Sequence, residues 1–166
     1  MSDDTELAWE DDQLKALTFD LGGETFALEA SVVCEILDIL PETSVPGSAP
    51  IAGSVINFRG SVIPVADLRL AFGLAQKGVS LDSRFIVIEL DYDGETCLVG
   101  LKADKVFEVT TLHRSSTEAA PRIGMQWRQD FIRCLAKRNG DFIVVPNLTR
   151  IFATCGQSAS LTGTQH

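Results

Sequence analysis

Residues 55–69 read VINFRGSVIPVADLR, and this segment contains the pattern from which the fold is predicted. Two short apolar runs, residues 55–58 and 62–65, flank the turn residues 59–61. Short apolar runs on both sides of a glycine-containing turn are typical of a β-hairpin. Asp67 follows the second run, and its carboxylate could cap the first turn of a helix. The segment therefore predicts a hairpin followed by a short helix.

The chain carries an internal repeat of this pattern. Residues 140–152 can be laid over residues 60–72 without a gap, and each half also begins with a predicted hairpin, one around Gly22-Gly23 and one around Gly94. A strand reading V-x-E-I or V-x-E-V follows each first hairpin. Sets of about five short strands favour closure into small barrels that hide the strand edges. We therefore predict a mainly β fold, all-β except for short helical turns, with two small β-barrels.

The repeat also suggests how the chain is divided. We expect an acidic flexible arm over residues 1–13, a domain over 14–156 with a first barrel at about 14–72 and a second at about 83–152, and a flexible tail over 157–166. The arm carries six acidic residues around Trp9. An irregular stretch from Ser115 to Gln126 is predicted to be an exposed loop, because it contains Pro121 and Gly124.

The charge balance argues against several classes of partner. The chain has 166 residues with 14 Lys and Arg against 23 Asp and Glu, which gives a net charge of -9. Such a charge repels nucleic acid backbones and anionic lipid surfaces, so we expect no nucleic acid partner. No apolar run approaches the roughly 20 residues that cross a bilayer, and the acidic N-terminus is unlike a signal peptide. We therefore predict a cytoplasmic protein.

No constellation of catalytic residues can be recognised. The sequence has no serine nucleophile motif with a suitable histidine and no glycine-rich phosphate loop. The cysteines are scattered without a C-x-x-C pair, and only two histidines could assist them in holding a metal. We therefore predict a protein that is not an enzyme and has no cofactor and no metal. The cysteines are expected to be reduced and mostly buried, and they are Cys34, Cys97, Cys134 and Cys155.

Residues 55–69 also closely resemble the N-x-R-G-x-x-x-P-V-x-D-L-R signature of the CheW family. Residues 33–36, VCEI, resemble its V-x-E-I element, and residues 100–109 resemble its G-x-x-x-D-x-V-x-E-V element. The resemblance runs in order from Leu14 to Phe152. It implies two intertwined five-stranded barrels of SH3-like form, with possible strand exchange between them, which agrees with the repeat found independently of it.

The resemblance also implies a function. Members of the family are non-catalytic adaptors that couple the cytoplasmic tips of chemoreceptors, the methyl-accepting chemotaxis proteins, to the regulatory domain of the histidine kinase CheA, which has the same fold. Receptor contact is expected in the groove between the barrels, and kinase contact at barrel ends and edge strands. The membrane would be reached only indirectly, at receptor arrays. Arg59 and Glu35 match partner-binding positions, and Asn57 is a third candidate that could instead order the turn.

Two alternatives remain open from the sequence. The second barrel departs from the family pattern at residues 145–148, VPNL, and carries Arg133 in the preceding strand, so a related twitching or surface-sensing pathway is the first alternative. A ligand-binding or nucleic-acid-binding double β-barrel is the second, because small barrels host many functions. Val33, Ile36 and Val55 follow strand patterning and are expected in the core.

Overall fold

The computed structural model describes residues 7–75, 78–92, 94–121 and 127–155. The predicted tail, residues 157–166, and the first six residues of the predicted arm lie outside these ranges. The strands of the described chain are β1 (Gln13–Leu21), β2 (Glu24–Glu29), β3 (Val33–Asp38), β4 (Thr43–Ser44), β5 (Ser54–Phe58), β6 (Ser61–Ala66), β7 (Arg84–Tyr92), β8 (Glu95–Ala103), β9 (Lys105–His113), β10 (Thr117–Glu118), β11 (Ile132–Arg138) and β12 (Asp141–Pro146). The helices are α1 (Leu68–Phe72) and α2 (Leu148–Cys155).

The strands form two sheets of the same order. Sheet A runs β10-β11-β12-β2-β1-β9, and sheet B runs β4-β5-β6-β8-β7-β3. Strands β1–β6 of the first half of the chain correspond, in order, to strands β7–β12 of the second half. Replacing each strand by its counterpart converts one sheet order into the other. Each sheet contains five longer strands and one strand of two residues. The prediction of a mainly β fold with two SH3-like barrels is confirmed.

Each half of the chain places its first hairpin in the sheet of the other half. Hairpin β1–β2 joins sheet A, where Phe26 pairs in parallel with Val144 of β12. Hairpin β7–β8 joins sheet B, where Gly100 pairs in parallel with Val65 of β6. The segments 14–72 and 83–152 therefore each contribute strands to both sheets, and the two barrels are intertwined.

Contacts between opposite edges show that both sheets curl. Strand β3 forms one edge of sheet B and β5 lies near the other, yet Glu35 of β3 pairs with Arg59 at the end of β5. In sheet A, Glu108 of edge strand β9 pairs with Arg138 at the end of β11. Each ion pair thus joins the two sides of a barrel.

The exchanged hairpins are buried on both faces. Along β7, Phe85 and Val87 pack in a cluster made only of sheet B residues, whereas Ile86 and Ile88 pack in a larger cluster shared by both sheets. Successive side chains of a strand point to opposite faces, so a strand between two barrels needs a continuous apolar run. The apolar run of β7, Phe85 to Ile88, meets this requirement.

The predicted Asp67 helix cap is confirmed, and Asn147 caps the helix at the equivalent position of the repeat. The Asp67 carboxylate accepts a hydrogen bond from the Arg69 N–H at 3.1 Å, and α1 ends at Gly73, whose φ of 65° is left-handed. In the second half, Asn147 Oδ1 accepts a hydrogen bond from the Arg150 N–H at 3.1 Å. The predicted loop from Ser115 to Gln126 contains strand β10, which pairs with β11, and residues 122–126 lie outside the described ranges.

Candidate partner-binding site

The hairpin between β5 and β6 turns at Arg59-Gly60. Their φ values of 52° and 83° are both positive, as in a type I′ turn, whose twist matches that of the flanking strands. Glycine adopts this conformation freely, whereas a left-handed arginine costs about 1–2 kcal/mol. Asn57 Oδ1 accepts a hydrogen bond from the Gly60 N–H at 3.0 Å. Asn57 therefore orders the turn, one of the two roles that the sequence allowed.

The turn presents Arg59 at the surface. Its side chain is 74% exposed, and its Nη2 donates to Glu35 Oε1 at 2.5 Å. The guanidinium also lies 5.2 Å from the centroid of the Phe58 ring, within the range of a cation–π contact. The structure thus brings together Arg59 and Glu35, two of the three predicted contact residues, although 24 positions separate them in the sequence.

Exposed apolar side chains occur on β3 and β6, the strands next to this ion pair. Ile36 is 42% exposed and Val62 is 67% exposed, so the expectation that Ile36 belongs to the core is wrong. The reason is strand alternation: Val33 and Glu35 share the face of β3 that is partly buried, and Cys34 and Ile36 consequently point outward. The expected burial of Cys34 is wrong for the same reason. Glu35 and Ile36 lie on opposite sides of β3, and Arg59 and Val62 lie at the β5–β6 hairpin; we call the region that these four residues occupy the β3 face.

Sheet A carries a counterpart of the β3 face. Arg138 Nη2 donates to Glu108 Oε2 at 3.2 Å, and both residues line a shallow pocket with the exposed Phe107 and Phe142. Val109 of β9 is also exposed. The repeat aligns Glu108 with Glu35 and Phe142 with Val62. We call this surface the β9 face. The sequence did not lead to a prediction for the β9 face, although the repeated V-x-E-I and V-x-E-V elements were the signal that could have located it.

A groove of about 370 Å³ lies between the two sheets. Its apolar lining includes Val32 and Leu90, and its charged lining consists of Glu29, Glu89, Asp91 and Arg133. The groove lining therefore carries three carboxylates and one guanidinium. Among the residues that the structure describes, Arg59, Glu35 and Asn57 do not line this groove, but Val32 leads directly into β3, which carries Glu35.

The end of the signature, Asp67-Leu68-Arg69, has a structural role. The Arg69 side chain is buried and donates to Asp67 at 2.9 and 3.1 Å and to Asp104 at 3.3 Å. The hydrogen bond to Asp67 raises the pKa of Arg69. Asp104 also accepts a hydrogen bond from the Gly22 N–H at 2.7 Å. The network thus joins α1, the β8–β9 turn and the β1–β2 turn.

Among the described residues, no group of three or more His, Cys, Asp or Glu side chains is suited to hold a metal ion. Burial raises the pKa of the Cys134 thiol and that of Cys155, which disfavours the reactive thiolate form of both. No helix in the described ranges has the length and apolar character needed to span a bilayer.

Two intertwined barrels with a groove between them and an exposed ion pair on each offer several surfaces for binding other proteins. The family model described as "CheW-like domain" matches residues 15–155, which is most of the chain. The chain belongs to the CheW family of chemotaxis coupling proteins. The resemblance found in the sequence is thereby confirmed.

Individual relatives agree with this assignment. The chain is 26% identical to the chemotaxis protein CheW of Klebsiella aerogenes over 150 residues, covering 90% of this chain and 88% of the relative. It is 34% identical to CheW of Bacillus subtilis over 107 residues, which are 64% of this chain and 66% of that protein. The crystal structure of the scaffolding protein TtCheW from Thermoanaerobacter tengcongensis is similar, with a TM-score of 0.73 and 31% identity, covering 84% of this chain and 92% of that chain.

Proposed function

We propose that the protein is a non-catalytic adaptor that couples chemoreceptors to the histidine kinase CheA in chemotaxis signal transduction. The observation that carries the proposal is the family signature folded as a hairpin, which holds Arg59 against Glu35 at the surface. The adaptor acts in the cytoplasm and reaches the inner membrane only through the receptors. Several relatives are named chemotaxis proteins, and TtCheW is described as a scaffolding protein.

The receptor tip binds, in this proposal, along the groove and onto the β3 face. The groove supplies apolar contacts at Val32 and Leu90, and β3 continues from Val32 toward Glu35. Ile36 and Val62 are exposed apolar side chains outside the groove lining, and in this proposal they are further receptor contacts. An interface with an apolar centre and a charged rim is typical of specific protein complexes. Arg59 would then be an arginine anchor of the receptor contact, covered by the receptor when the complex forms.

The kinase binds, in this proposal, at the β9 face. Strand β9 is an edge of sheet A and exposes Phe107 and Val109, and Phe142 lines a shallow pocket together with Phe107. Edge strands and exposed apolar patches are features that proteins use to pack against partners. The regulatory domain of CheA, which has the same fold in the family, offers barrels of matching form.

Co-sedimentation tests the proposal. Purified protein is mixed with chemoreceptor cytoplasmic fragments, with the CheA regulatory domain, and with both together. An adaptor binds each partner alone and joins them in one complex, whereas a ligand-binding barrel binds neither. Failure to sediment with either partner would refute the adaptor function.

Matched variants locate the two surfaces. Val62→Asp introduces a charge on the β3 face and should weaken receptor binding, while Val79→Asp is the control, since Val62 and Val79 are 67% and 62% exposed. Phe142→Asp introduces a charge on the β9 face and should weaken kinase binding. Each variant should keep the affinity for the other partner, because the two faces belong to different sheets.

A further inference from the structure

Residues Leu7–Asp12, here called the N-terminal segment, fold back from the start of β1. The Glu10 N–H donates to the Gln13 carbonyl at 2.8 Å, and the Gln13 N–H donates to the Glu10 carbonyl at 2.9 Å. Asp11 and Asp12 between them have φ values of 52° and 59°. Two consecutive left-handed residues form a type I′ turn, which reverses the chain. Positive φ at two residues other than glycine is costly and persists only where the surroundings hold it.

Contacts with sheet A hold the segment in place. The Ala8 N–H donates to Glu29 Oε2 at 3.0 Å, and the partly buried Trp9 packs against the sheet A core. The Arg114 guanidinium lies 5.3 Å from the centroid of the Trp9 ring, and the Arg114 N–H donates to the Asp12 carbonyl at 2.9 Å. Residues 7–12 were predicted to belong to an acidic flexible arm, but they are packed on the barrel.

The segment also reaches the groove. Leu7 is one of its lining residues, and so is Glu29, which accepts the hydrogen bond from Ala8. The same glutamate thus anchors the segment and lies in the groove wall. Leu7 packs against the sheet A core together with Trp9, so the position of Leu7 depends on the anchoring of its neighbours.

We propose that the N-terminal segment is part of the partner groove, with Leu7 as one of its walls. The occupant is an amphipathic segment of the receptor tip, so this inference rests on the proposed function. Its apolar side packs against Leu7, Val32 and Leu90, and its basic side chains face the carboxylates of the groove. The basic character of the bound receptor segment follows from charge complementarity, because three carboxylates and one guanidinium give the groove a net negative charge.

Titration of a receptor cytoplasmic fragment against full-length variants tests the role of Leu7. Leu7→Ser should weaken receptor binding about five- to tenfold, the effect expected of an apolar contact inside an interface. Leu81→Ser is the matched control, since Leu81 is 96% exposed and does not line the groove. It should leave receptor affinity unchanged. Kinase affinity should be unchanged in both variants.

Trp9→Ala tests the anchoring of the segment. Loss of the ring removes the contacts with the sheet A core and with Arg114, so receptor binding should weaken about as much as in Leu7→Ser. Hydrogen exchange at the Ala8 amide, which is bonded to Glu29, should become faster in this variant. In the unmodified protein, the receptor fragment should slow that exchange.

Glu89→Gln tests the charge of the occupant. The substitution keeps the shape of the side chain and removes one groove carboxylate. Receptor binding should weaken, and its dependence on salt concentration should become shallower, because screening acts on the pairs between the groove and basic side chains. A salt dependence that stays the same would refute the basic character of the occupant.

The outcomes separate this inference from the proposed function. Unchanged receptor affinity in both Leu7→Ser and Trp9→Ala, with loss of binding in Val32→Ser, would overturn the role of the segment and leave the adaptor function intact. No receptor binding by the unmodified protein would overturn both. Thermal unfolding of each variant, compared with Leu81→Ser, shows whether lost binding comes from lost structure.

Discussion

Replacement of Arg59 gives the sharpest test of the partner surface, because its stability effect and its binding effect can be calculated separately. The side chain makes an exposed ion pair with Glu35 and a cation–π contact with Phe58. An exposed ion pair contributes about 0.2–1 kcal/mol and an exposed cation–π contact about 0.5–1 kcal/mol. Arg59→Ala should therefore lower the free energy of unfolding by about 1 kcal/mol.

Arg59→Gly should behave differently in stability. It loses the same two contacts, but glycine relieves the left-handed strain at φ 52°, which is about 1–2 kcal/mol for other residues. The two effects nearly cancel, so this variant should unfold within about 0.5 kcal/mol of the unmodified protein. The two variants thus differ in stability but share the loss of the guanidinium.

The binding effect should be the same in both variants. Truncation of an arginine anchor commonly costs about 2 kcal/mol of binding, a loss of about thirtyfold in receptor affinity. Chemical denaturation and titrations with the receptor fragment and the kinase domain are made on one preparation. Equal receptor losses in Arg59→Ala and Arg59→Gly, with little change for the kinase, support a direct contact.

Two results would refute this reasoning. Unchanged receptor affinity in both folded variants would remove Arg59 from the partner surface. A loss confined to kinase affinity would assign the β3 face to the kinase instead. Glu35→Gln completes a double-mutant cycle, in which a coupling energy of stability above about 1 kcal/mol would contradict the treatment of the pair as solvent-exposed.

Three further predictions concern structure and chemistry. Arg69→Leu leaves two aspartates without their buried partner and should lower the free energy of unfolding by about 3–5 kcal/mol; an unchanged denaturation midpoint would show the network to be dispensable. Gly22→Ala should destabilise the protein by at least about 1 kcal/mol more than Gly23→Ala. Both positions have positive φ, but only at Gly22 would the new Cβ lie 2.9 Å from a leucine side chain, and equal unfolding midpoints would exclude that clash. Thiol labelling at pH 8 should modify the exposed Cys34 before Cys134, whose pKa burial raises, and the Cys134 rate should increase with further rise in pH; faster labelling of Cys134 would contradict its burial.

The amino-acid sequence alone was sufficient to predict the local secondary structure. The four hairpins, the third strand of each half and both helix caps follow from features within a few residues of each other, such as the positive φ of a turn glycine or the carboxylate of Asp67. The repeat also supported a fold of two similar barrels. Arg59 and Glu35 were identified by resemblance, because neither residue is distinguished by composition or spacing alone.

The tertiary structure decided which hairpin joins which barrel. The two halves have similar strands, so a first hairpin has the right local pattern for either sheet, and only the pairings of β2 with β12 and of β8 with β6 settle the exchange. The pairing of Glu35 with Arg59 depends on the curl of sheet B, and the outward direction of Ile36 depends on which face of β3 meets the core. Leu7 reaches the groove because the turn at Asp11-Asp12 and the contacts of Trp9 fold the segment back. These features arise from contacts between residues far apart in the sequence, and local patterns carry no information about them.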